Sequence, residues 1–144
     1  MGRPAGRPSS LWARPKTRRA HPIPNLKETE AMTSTIVSTT DRIRELNDEF
    51  RRTFVGGVVV VTAGVEAMPA EQRKSLLAKV RAFEIFSEDN DPHGEHDFGA
   101  VDEAGIRCFW KIDNYDRAIE FGSPDAADPA VTTRVLTVML AEEY

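Results

Sequence analysis

The sequence predicts an α+β fold: a mostly antiparallel sheet of about four strands with helices packed on one face. Three observations carry that expectation. Ile43, Leu46, Phe50 and Phe54 recur at helical spacing, and the unbroken β-branched run Val58 to Val61 follows them. A second helical stripe, Leu76, Leu77, Val80 and Phe83, comes next. Two strand-like segments then flank Asp102-Glu103-Ala104-Gly105, a short polar connection with a glycine. The resulting order, α-β-α-β-β-β-α, is not the regular alternation that builds a parallel sheet.

Each element has a local reason. Ser38-Thr39-Thr40-Asp41 offers helix caps and Gly56-Gly57 ends the pattern, which predicts a helix over about residues 40–54. The valine run between Gly57 and Gly64 reads as a strand buried on both faces, central in the sheet. Pro69 suits a first helical turn and Glu71 favours a helix N-terminus, so a second helix is expected over about 69–84. In the hairpin, alternation puts Ile106, Cys108, Trp110 and Ile112 on one face, the expected core face. Asn114-Tyr115-Asp116 can turn the chain into a third strand around Ala118 to Phe121. Asp128-Pro129 reads as a cap with a first-turn proline, and Val131, Val135, Val138 and Met139 suggest a C-terminal helix to about Glu143.

Composition limits the function classes. The 144 residues suit one domain, 40% apolar and 29% charged, and no apolar run approaches the length of a membrane span. Cys108 is the only cysteine, so no internal disulfide can form and the cytoplasm is the expected location. Residues 1–31 carry seven basic side chains against two acidic ones, which resolves the net charge of −4 into +5 there and −9 beyond. Five prolines and no apolar periodicity predict that residues 1–37 form a disordered basic leader before an α+β domain over 38–144. Either the leader is a basic nucleic-acid-binding arm, or translation starts at Met32 and the upstream residues are a start-site artefact. The acidic domain itself repels phosphate, so nucleic acid is not expected as its partner.

Chemistry concentrates in Asn90-Asp91-Pro92-His93-Gly94-Glu95-His96-Asp97. Asp91, Pro92 and Gly94 are the residues of a type I turn, which leaves Glu95, His96 and Asp97 as the catalytic candidates. His93, Glu95, His96 and Asp97 are the candidate ligands of a divalent metal, with a carboxylate as general base beside a metal-bound water. The single glycine and absent lysine of Thr62-Ala63-Gly64-Val65-Glu66-Ala67 exclude a phosphate-cradling loop, and no nucleotide cofactor is expected. Cys108 reads as a buried structural thiol. Asp113, Asp116, Glu120 and Asp125 read as a solvated, charge-protected sheet edge.

Asn90 to Gly99, Phe109-Trp110-Lys111-Ile112-Asp113, Gly122-Ser123-Pro124-Asp125 with Asp128 to Thr132, and the ending Val138 to Tyr144 resemble, in order, an uncharacterised bacterial domain-of-unknown-function family, number 3768. The resemblance covers about residues 43–144 and brings no catalytic or binding residues with it. It implies an accessory or interaction role connected with mobile genetic elements. Two readings therefore stand. One is a small cytosolic interaction module that binds a protein partner through its acidic surface, and the other is a metal-dependent enzyme centred on His93, Glu95, His96 and Asp97.

Overall fold

The computed structural model describes residues 38–144. The leader expected over residues 1–37, and with it the alternative start at Met32, lies outside the described residues. Helix α1 spans Thr39–Thr53, strand β1 Gly57–Val61, the short helix α2 Ala63–Glu66 and helix α3 Ala70–Arg81. Strand β2 spans Phe98–Glu103, β3 Ile106–Tyr115 and β4 Thr133–Leu140, with single 3-10 turns at Pro129–Val131 and Ala141–Glu143. The four strands form one mixed sheet in the order β1-β4-β3-β2. Both neighbour contacts of β3 are antiparallel, whereas β1 and β4 run parallel.

The α+β class holds, and three expectations need correction. The C-terminal segment is a strand: Arg134, Leu136 and Val138 alternate inward with period two, and β-branched Thr133, Val135 and Thr137 stand between them. Asp128 does cap, its carboxylate accepting from the Ala130 N–H at 2.9 Å, but the cap starts one 3-10 turn. No third meander strand forms at Ala118–Phe121. Asp116 closes a tight turn there through its N–H to the Phe121 carbonyl and its carboxylate to the Glu120 N–H, and Ile119 takes a left-handed φ of 58°. The valine strand β1 is an edge, so Val58 and Val60 stand 42% and 40% exposed.

Helix α1 starts as expected, with the Ser38 hydroxyl accepting from the Asp41 N–H at 3.1 Å. The hairpin closes through Ala104 and Gly105 at φ of 54° and 81°, the two left-handed residues of a type I′ turn. Cys108, Trp110 and Ile112 are buried, while Ile106 beside the turn is exposed. They join Phe50 of α1, Val65 of α2, Leu76 and Val80 of α3, and Leu136 and Val138 of β4 in the main core. Phe98, Ala100, Phe109 and Met139 form a second cluster. No helix among the described residues is long and apolar enough to cross a membrane.

Polar side chains complete the core. Arg134 lies buried on β4, where its Nε donates to Asn47 Oδ1 at 2.8 Å and its guanidinium reaches the Ala126 carbonyl. Burial pushes its pKa down to about 10, which leaves it charged at neutral pH. Arg51 of α1 has no exposed side-chain surface. One of its nitrogens donates to the carbonyls of Val80, Arg81 and Phe83 at 3.5, 3.4 and 3.1 Å, bracing the end of α3. The other donates to Asp48 at 3.0 Å, and the guanidinium lies over the Phe86 and Trp110 rings at 5.6 and 5.2 Å.

Candidate functional site

The segment between α3 and β2 folds back on itself before it enters the sheet. Asn90 holds the first bend, its Oδ1 accepting from the Ser87 N–H and its Nδ2 donating to the Ile85 carbonyl, both at 2.9 Å. Asp91 to Gly94 forms the expected turn, closed by the Gly94 N–H on the Asp91 carbonyl at 3.1 Å. The Asp91 carboxylate accepts from the backbone N–H of both Glu95 and His96, at 3.1 and 3.0 Å. His96 itself adopts a left-handed φ of 55°. Burial raises the Asp91 pKa above its ordinary value, against those bonds and the attraction of His96.

Helix α1 pins this loop from behind. Arg44 donates to the Gly94 carbonyl and Asn47 to the Glu95 carbonyl, each at 2.9 Å. His96 Nδ1 lies 2.9 and 3.1 Å from the two oxygens of Asp48, and its ring stacks on Phe86 with 3.7 Å between centroids. A carboxylate only accepts, so Nδ1 carries the proton of that bond. Nε2 lies 3.7 Å from Asp91 Oδ2. The geometry therefore brings His96 together with Asp91 and with Asp48, which sequence reasoning missed because it lies 48 residues away on another element.

The other candidates do not join them as a ligand set. His93 is exposed on the turn, and the buried Glu95 carboxylate acts electrostatically on Arg134. Asp97 is fully buried, and its carbonyl accepts from the Ile112 N–H at 2.9 Å as β2 begins. Among the described residues no group of three or more His, Cys, Asp or Glu side chains is placed to hold a metal ion. Cys108 is buried, and desolvation, followed by the charges of Asp102 and Glu103, pushes its thiol up to about 11, so it is no nucleophile at neutral pH. Gly64 also has a structural role. Its N–H donates to Glu143 at 2.8 Å, and any β-carbon there would meet the Leu140 side chain and that carboxylate.

The segment that leads into the pinned loop also walls a groove. Between the end of α3, residues 82–90 and β2 lies an open cavity of about 690 Å³ with a predominantly apolar lining. Phe83, Ala100 and Val101 are its buried parts, whereas Ala82 is exposed and Ile85 stands 77% exposed. The remaining lining is polar, and its charges are already matched. Lys79 pairs with Glu103 at 2.9 Å, Glu84 with Arg52 at 2.9 Å and Asp102 with Arg107 at 2.6 Å. Two side chains hold its wall: Arg51 of α1 fixes the Phe83 carbonyl, and Asn90 within the loop fixes the Ile85 carbonyl.

Fold and site together define an α+β domain with a mixed four-stranded sheet and an apolar groove beside its β2 edge. The chain belongs to the protein family of unknown function DUF3768, whose family model matches residues 61–143. The match takes in every residue that lines the groove, and α1 lies before it. No curated protein and no solved structure matches the chain.

Proposed function

We propose that this domain is a protein-binding module and that the groove beside β2 receives its partner. One observation carries the reading: a predominantly apolar groove open to solvent, with Ile85 77% exposed on it beside the apolar Phe83, Ala100 and Val101. Its volume is within the range of roughly 300–1,000 Å³ typical of ligand pockets, room enough for an apolar side chain. An enzyme would need an acid or base free to act on the bound group. The ionic residues lining this groove are each held by an opposite charge. The metal-dependent reading centred on His93, Glu95, His96 and Asp97 has less behind it, since among the described residues no three such side chains are placed to share an ion and the loop's bonds explain its residue types. A cytosolic accessory role beside mobile genetic elements, as the sequence resemblance implies, is consistent with a binding module.

Peptide display against the immobilised full chain tests the reading. Each recovered peptide is measured on the wild type and on Ile85→Asp, an exposed position where the fold tolerates change. Recovered peptides should lose about tenfold or more in affinity on the variant, as expected for a charge placed in an apolar anchor site. Peptides that bind both proteins equally would show that the groove is not the receiving surface.

A further inference from the structure

We infer that the partner of the groove is a protein segment that presents an apolar side chain flanked by lysine or arginine; this rests on the groove being the receiving surface. The apolar part follows from the lining, where Phe83, Ala100 and Val101 offer no free charge to a ligand inserted between them. The basic part follows from the rim. Lys79, Glu84 and Asp102 are each satisfied by an ion pair within the domain. Glu88 and Asp89, in the segment between the lining residues Ile85 and Asn90, are exposed and have no ion pair among the described residues.

The backbone under these two carboxylates is held in place. They occupy the bend whose ends are tied by Asn90 to the Ser87 N–H and the Ile85 carbonyl, and by the Asp91 N–H to the Ser87 carbonyl at 2.8 Å. A rigid bend presents its charges beside the groove without the ordering cost a flexible loop would bring. Charge selects among occupants. The acidic domain of a second copy, net −9 beyond residue 31, would bring the same unpaired acids against themselves, and a nucleic acid would bring phosphates. A basic segment neutralises them, and apolar burial supplies the specificity.

Fluorescence anisotropy with four labelled synthetic peptides decides the matter on the full chain. One alternates leucine and lysine, one leucine and glutamate, one leucine and serine, and one serine and lysine. The leucine–lysine peptide should bind saturably, one to one, and at least about tenfold tighter than the other three. Its affinity should fall roughly three- to tenfold on the Glu88→Gln, Asp89→Asn double variant, with a weaker salt dependence. If the leucine–serine peptide binds equally well and the double variant has no effect, the basic partner is refuted while the groove stands. If the serine–lysine peptide binds equally well and Ile85→Asp changes nothing, the contact is diffuse charge attraction and the groove reading fails with it.

Discussion

Arg51 ties three elements together, and its replacement by methionine measures how strongly. Methionine keeps most of the apolar stem, so the loss falls on the guanidinium. That group makes one well-placed bond to the Phe83 carbonyl at 3.1 Å, two longer ones to Arg81 and Val80, and the 3.0 Å bond to Asp48. Removing one member of a buried ion pair typically costs about 3–5 kcal/mol. Two features move the expectation to the lower end of that range. Asp48 keeps its bond to His96, and the substitution also removes an Arg51 Nε that is buried without a partner. Arg51→Met should therefore destabilise the fold by about 3 kcal/mol. Urea denaturation followed by Trp fluorescence reads this, and the double variant with Asp48→Asn should show a coupling of about 1–2 kcal/mol. A loss below about 1 kcal/mol would mean that the guanidinium is solvated and that the groove wall does not depend on it.

Three further outcomes follow from single residues. Ala104 occupies a left-handed position on the exposed hairpin turn, so Ala104→Asn should raise stability by about 0.5–1 kcal/mol in the same assay, and a loss would contradict the turn type. Hydrogen bonds from Lys79 and Ser75 hold Glu103 below its ordinary value of 4.5, so its contribution is complete above that pH and is lost as pH falls through the depressed value. Glu103→Gln should flatten the acid limb of the stability profile below about pH 4.5, and a limb of unchanged slope would refute the pairing. His96→Ala should lower stability by about 1–2 kcal/mol through its bond to Asp48 and its stacking on Phe86. Calorimetric titration of the wild type with zinc, manganese and magnesium should show no saturable site; a one-to-one site lost in His96→Ala would restore the metal-dependent reading.

The elements whose signals are local were legible in the sequence. The Ser38 cap, the stripe through Phe50, the helix around Leu76 and Val80, and the hairpin turn each depend on residues a few positions apart. The C-terminal strand was not, because Val131, Val135, Val138 and Met139 satisfy a helical period while Arg134, Leu136 and Val138 satisfy a period of two. A buried arginine hid the second pattern, since charge normally marks the solvent side. The same masking affects Asn47 and Arg51, which share the buried stripe of α1 with Ile43 and Phe50 and read as polar-face residues by type alone. The valine strand was placed centrally because its composition suits burial, but strand order depends on pairing with β4, some 75 residues away, and leaves no local trace. In the candidate site the turn at Asp91 was readable, whereas the contact between His96 and Asp48, and the groove between the end of α3 and β2, arise only when separate segments meet.

The central claim is that the groove beside β2 receives a protein partner, and amide chemical-shift mapping tests it most directly. The isotopically labelled full chain is titrated with the leucine–lysine peptide, and the perturbed amides are located on the fold. Binding in the groove should shift Ala82 to Asn90 and Ala100 to Asp102 in a saturable way, leaving Ile119, Phe121 and the β1 edge unchanged. Shifts spread over the acidic surface, or centred on the exposed valines of β1, with the amides of residues 82–90 unmoved, would contradict the account.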